Sequence, residues 1–173
     1  MWATPVLALL PLWGFMYMRA TTENPPTLTG PMAEGAVVYN KCASCHGGGG
    51  EGGAGYPLNA GSVLRTFPSI EEQITFVYHG SDEIKGEPYG DPARGRIAGT
   101  KGKMPAWGTN FGGELTDAEI VASICHERFK LATTDVPTAL ADEYEHWCTP
   151  EGEKWLEVEE GGLAKAGVTT AVG

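Results

Sequence analysis

The stretch from Lys41 to Glu51, KCASCHGGGGE, constrains this chain more than any other: two cysteines separated by two residues, a histidine directly after the second, then a run of glycines. Several chemistries use parts of this pattern. A redox dithiol of the thioredoxin kind expects a strand–helix–strand setting, and the flanks carry no strand pattern. Zinc needs a further ligand pair at suitable spacing, and the nearest candidates lie far downstream. Gly50 to Gly55 spell G-x-G-x-x-G, but no strand precedes them, no clear helix follows, and no Lys-Ser or Lys-Thr closes the loop.

Haem fits the spacing. Two thiols one helical turn apart can add to the two vinyl groups of a haem, and the adjacent imidazole is then held beneath the iron as an axial ligand. The preceding segment, GPMAEGAVVYNKCASCH, puts Pro31 at a first helical position, and Ala33, Ala36, Val37, Tyr39 and Asn40 lead to the site as a short amphipathic helix. The glycines after His46 lack a Cβ and can lie flat against a porphyrin, with part of the run a surface loop.

The sixth iron position is open to Met104, His79, His126 or His146; Met16 and Met18 fall in an apolar N-terminal stretch and Met32 is too near the attachment helix. Met104 lies in GTKGKMPAWGTNF, where Pro105 denies a helix and Trp107 can pack against the ring. His79 ends a helix opened by Ser69, with Glu72 completing a capping box; it reads as a polar residue near a C-terminus closed by Gly80. Thr116 and Glu119 repeat the capping device ahead of Ile120, Val121 and Ile124.

From Trp2 to Met18 no side chain is charged. Seventeen residues at helical rise reach about 25 Å, near the lower limit for a hydrocarbon core of about 30 Å. Trp2, Trp13 and Tyr17 suit the interface, and Pro5 and Pro11 are tolerated in lipid. The expectation is an uncleaved anchor; a cleaved signal peptide and a buried soluble helix are the alternatives, and the basic start and A-x-A end of a signal are missing. Anchor and signal both export the remainder to a compartment where disulfides persist. Cys125 and Cys148 are then an even pair, expected to form a disulfide, with His126 and His146 near enough for a Cys2His2 metal site as the alternative.

The marks GAVVYNKCASCHG, GYPLNAG, FVYHG, GKMPAWG and LTDAEIVASICHERF, in this order and spacing, resemble a class I cytochrome c between about residues 30 and 131. That resemblance implies an all-α fold whose last helix crosses the first around one covalent haem c. It implies thioether attachment at Cys42 and Cys45, ligation by His46 and Met104, a Pro57 carbonyl accepting the imidazole Nδ1–H, and packing of Tyr56 and Trp107 at the haem. It also implies an electron carrier rather than a catalyst, without a small-molecule substrate. The partners would be redox complexes, a quinol-oxidising donor and a terminal oxidase or other acceptor, met on the extracytoplasmic (periplasmic) face of the cytoplasmic membrane. Two alternatives stand beside it: a permanent haem subunit of a larger membrane oxidoreductase, such as an oxidase, a quinol:cytochrome c oxidoreductase or a nitric-oxide-reductase-like complex, and a ligand-binding or peroxidatic haem protein if Met104 does not ligate.

The chain divides into an anchor at 1–19, a Thr/Pro-rich tether at 20–30, a haem domain at 31–131 and an acidic extension at 132–173. With 173 residues it can build one modest core but not two. A net charge of −10 excludes a nucleic-acid surface, which needs clustered bases. The acidity is uneven: 132–173 carries two bases against nine acids, a net −7, whereas 31–131 carries nine against twelve. Just ahead of Met104, the polar loop Ser81 to Lys103 places Arg94, Arg96, Lys101 and Lys103 as a basic collar on which an acidic partner can dock. In the extension, Leu140, Tyr144, Trp147, Trp155 and Leu156 are expected to line helices, followed by a small-residue tail without order.

Overall fold

The computed structural model describes residues 13, 14, 17 and 30–170. Among them the fold is helical and without strands, pairing as β only in isolated bridges. The anchor and tether expectations lie almost wholly outside the described residues, within which no helix is long and apolar enough to cross a membrane.

Helix α1, Pro31–Val38, starts with Pro31 in its first turn, where a missing N–H costs nothing. A 3-10 turn, Tyr39–Lys41, feeds α2, Ala43–His46, so the whole C-x-x-C-H sits at the end of one nearly continuous helical path. Two short elements follow: α3, Ser62–Thr66, and α4, Ile70–His79. Ser69 caps α4 by accepting the Glu72 N–H; the return bond from the Glu72 carboxylate is not formed. Helix α5, Asp117–His126, has the full box: Thr116 Oγ accepts the Glu119 N–H and Glu119 accepts the Thr116 N–H.

The first helix crosses α5 closely because Gly35 has no side chain; a Cβ there would run into the carbonyl of Ala122. Behind this crossing the apolar faces of α4 and α5 meet, with Ile70, Ile74, Ile120, Val121 and Ile124 fully buried. Past His126 the helix widens into a π turn, Glu127–Leu131, a local irregularity that often marks a functional site.

The extension is part of this same core. Helices α6, Ala141–Cys148, and α7, Glu153–Lys165, bury Trp147, Trp155 and Val158 against it. The Cys125 and Cys148 sulfurs are bonded at 2.02 Å with their Cα atoms 5.4 Å apart, which removes the Cys2His2 alternative. Two expectations about the extension are corrected. Leu156 is 43% exposed, one position from Trp155 and so turned to solvent. The tail is ordered through residue 170: Gly161 and Gly162 break α7, the Leu163 N–H donates to Asp117 at 2.8 Å, and Leu163, Ala166 and Val168 enter the core.

Candidate functional site

Helix α2, the glycine loop after it, α3, α4 and the 81–107 loop enclose a cleft of about 330 Å³. Cys42, Cys45, His46, Tyr56, Met104 and Trp107 all line it. Both cysteines are free. Burial first, then the negative charge of Glu127, pushes the Cys42 thiol up to about 12, so it waits as a neutral thiol.

His46 Nδ1 lies 2.7 Å from the carbonyl oxygen of Tyr56. A carbonyl only accepts, so Nδ1 carries the proton and Nε2 keeps its lone pair, the form a metal binds. The expected acceptor was the carbonyl of Pro57; it is the one before it. Proline holds its predecessor extended, and this aims the Tyr56 C=O at the ring. Burial lowers the pKa of His46, and Arg96 and Lys101 add to the fall, against the Tyr56 bond.

The glycine run closes around this histidine. Gly52 and Gly55 donate to the His46 and Cys45 carbonyls at 2.7 and 2.9 Å. A Cβ on Gly55 would stand 2.7 Å from His46 Cε1. The glycines are therefore the seat of the imidazole as well as a surface loop.

Met104 is clamped through its backbone by Ser81, which no motif marks. Ser81 Oγ accepts the Met104 N–H at 2.9 Å, and the Ser81 N–H donates to the Met104 carbonyl at 2.9 Å. Gly80 makes the approach possible, at a φ of 72° with Pro105 and Ala106 against it. Trp107 is tied to α4 through its N–H to the Val77 carbonyl at 3.2 Å. His79 is not on the cleft: it is buried between the Thr75 and Thr170 carbonyls. His126 packs at a tilt against Tyr39, ring centroids 5.4 Å apart, and His146 bonds the Asp142 carbonyl; neither lines the cleft with Met104.

The basic collar is corrected. The 81–103 loop is a wall of the cleft, pinned by Tyr89 N–H to Arg96 O and Ala98 N–H to Glu87 O. This pairing turns Arg96 inward. It is 8% exposed, stacks 4.1 Å from the Tyr56 ring centroid and donates to Ser62 Oγ. Among the described residues no carboxylate forms an ion pair with it. Arg94, Lys101 and Lys103 are exposed; Lys103 is paired with Asp82, and Lys101 lies 5.0 Å from the Tyr56 ring centroid.

Phe67, Phe76 and Tyr89 complete an aromatic wall, the last two stacked at 4.4 Å. Behind it Glu127, 5% exposed, lines the cleft together with Gln73, whose Nε2 donates to it at 2.7 Å. Gln73 Oε1 accepts from Arg128 Nη1 at 3.2 Å, and Arg128 Nε donates to Glu143 at 2.7 Å. Arg128 Nη2 is also 2.7 Å from Glu143, an ion-pair contact without hydrogen-bond geometry, and has no other partner. Burial pushes the Glu127 carboxyl up to about 8, against the Gln73 bond and the Arg128 charge.

These side chains suit a haem. Two free thiols, an imidazole with Nε2 available, a clamped thioether, an apolar aromatic wall and an unpaired buried guanidinium converge on one cleft. A sequence model of the family described as Cytochrome c matches residues 32–124. No curated protein and no solved structure matches the chain.

Proposed function

The chain belongs to the cytochrome c family, and on that premise we propose that it is a membrane-anchored, class I, monohaem electron carrier working on the extracytoplasmic face of the cytoplasmic membrane. It takes single electrons from a quinol-oxidising complex and gives them to a terminal oxidase or another redox acceptor. The observation that carries this reading is the orientation of His46: its Nδ1 is committed to the Tyr56 carbonyl on the cleft that Cys42, Cys45 and Met104 also line.

Bound there, haem c supplies a one-electron iron couple. Cys42 and Cys45 would hold it through thioethers, and His46 and Met104 would supply a nitrogen and a sulfur donor to its iron. The Tyr56 carbonyl fixes the imidazole ring, and Ser81 fixes the backbone that presents the thioether, so little needs to rearrange when charge changes. Tyr56, Phe67, Val77 and Trp107 give the cleft apolar walls for a porphyrin face. Arg96, buried and without a carboxylate partner, offers its charge to the carboxylates a haem carries. Arg94, Lys101 and Lys103 leave a positive rim for an acidic acceptor. The uncharged stretch from Trp2 to Met18 supports the anchor.

The test is chemical. Full-length protein matured with haem should keep its colour through acid–acetone extraction, and Cys42→Ala with Cys45→Ala should release it. Colour extracted from the unmodified protein removes the reading. Membranes washed with carbonate should retain the protein, and its release would remove the anchor.

A further inference from the structure

One ionisable group on the cleft has no part in holding a haem. Glu127 is buried in the π turn of α5, opens onto the cleft, and receives one hydrogen bond, from the neutral amide of Gln73. The nearest guanidinium, Arg128, lowers the carboxyl's pKa through its charge but makes no hydrogen bond to it: it pairs with Glu143 and donates to Gln73 Oε1 at 3.2 Å and to the Phe67 carbonyl at 3.0 Å. A buried carboxylate with only a neutral donor is costly, and its charge state is decided by whatever other charge enters the same low-dielectric space.

The remaining groups around it do not take over that role. From the first helical path, Tyr39 and Cys42 face it, and its charge raises the pKa of both; the tyrosine hydroxyl is held by the Gly47 carbonyl, and Cys42 loses its thiol on attachment. From α3, Arg65 donates to the Ala60 carbonyl. Across the cleft stand Arg96 and Lys101, engaged with Tyr56, while Lys41 pairs with Glu114 and Lys103 with Asp82.

We propose that Glu127 couples proton binding to electron transfer: its carboxylate takes up one proton when the haem site takes up one electron, and returns it on oxidation. The inference rests on the proposed function. The step balances as one electron from the redox donor and one proton from hydronium in solvent: an O–H bond of hydronium breaks, the O–H bond of the carboxylic acid forms, and the electron would reduce the haem iron from ferric to ferrous. Ferric iron adds a positive charge that favours the carboxylate, and its loss favours the acid. Linkage is reciprocal, so what the iron does to the proton the proton does to the potential. Burial has already raised this carboxyl to about 8, which places the exchange in a working pH range.

The experiment is the midpoint potential of the haem-loaded full chain, by spectroelectrochemistry between about pH 6 and pH 9. The potential should fall as pH rises, approaching one proton per electron, about 59 mV for each tenfold change in proton activity. Glu127→Gln should flatten that dependence at the upper end of the range of potentials. Gln73→Leu, which keeps the carboxylate and removes its donor, should move the inflection to higher pH. A Glu127→Gln protein that titrates like its parent overturns the proposal, as does a parent whose potential is flat. If Glu127→Gln does not fold, an unmoved inflection in Gln73→Leu overturns it instead. Failure of the functional reading looks different: no covalent haem, or no one-electron wave at any pH.

Discussion

Met104 is presented by a serine, and the two residues can be separated by experiment. Met104→Ala should leave haem attached, since attachment uses the thiols, and should lose the far-red charge-transfer band of methionine–ferric iron ligation; a surviving band would remove Met104 as ligand. Ser81→Ala leaves the Met104 N–H without its acceptor, a loss of about 1–3 kcal/mol, read as a lower thermal midpoint with that band retained but weakened. Glu127 carries a pH signature in folding too. Its carboxyl is raised from 4.5 to about 8, so the unfolded chain ionises first and stability falls as pH rises between those values. Glu127→Gln should therefore gain on its parent from pH 5 to pH 8 in denaturant titrations, and an unchanged difference would contradict the burial argument. The motif residues were legible because they act through their near neighbours: Cys42, Cys45 and His46 fall within one turn, whereas the acceptor for the imidazole, ten residues on, was expected one residue too late, at Pro57 instead of Tyr56. Ser81 and Glu127 were not, because their partners are 23 and 54 residues off along the chain.

Elements were legible where their ends carry their own signals. Pro31, Ser69 and Thr116 mark the starts of α1, α4 and α5, and the apolar stripe of α5 follows directly. Thr116→Ala should cost about 1 kcal/mol by leaving the Glu119 N–H uncapped. The crossing of α1 over α5 depends on Gly35, which looks like an ordinary helix-weakening glycine in sequence. Ala is the better helix former, yet Gly35→Ala should destabilise, by about 1–3 kcal/mol or more, because the methyl meets the Ala122 carbonyl. At this length each kcal/mol is worth about 2–4 °C of thermal midpoint, and a rise in midpoint would contradict the close crossing. The tail was misread for the opposite reason: Leu163, Ala166 and Val168 are sparse and mostly small, and only the Asp117 side chain at the start of α5 shows where they go.

For the molecule as a whole, acid and base are laid out unequally, with the extension at −7 and the exposed bases lining the cleft beside Met104 reduced to Lys101 and the Asp82-paired Lys103 once Arg96 turns inward. Small electron-transfer contacts depend on steering that salt weakens. Lys101→Gln with Lys103→Gln should slow electron delivery at low salt and flatten its ionic-strength dependence; a salt-independent rate in the parent would exclude steering by this rim. The disulfide closes a separation of 23 residues, worth about 3 kcal/mol by chain-entropy estimates. Cys125→Ser with Cys148→Ser should lose about that much, in denaturant midpoint, while haem stays attached. The sequence paired these cysteines by compartment alone, whereas the union of extension and core needed Trp147, Trp155 and the tail seen together. That pairing also divides the four cysteines by chemistry. On the proposed reading the four thiols have two incompatible fates: one pair must bond to each other and the other must not, because a Cys42–Cys45 bridge would consume the thiols that the vinyl groups of a haem would require. Cys125 and Cys148 are bonded where α6 meets α5 and both are fully buried there, while Cys45 lies at the surface. The fold thus withdraws one pair of sulfurs from exchange and, on the proposed reading, keeps Cys45 open to the chemistry that would join it to haem.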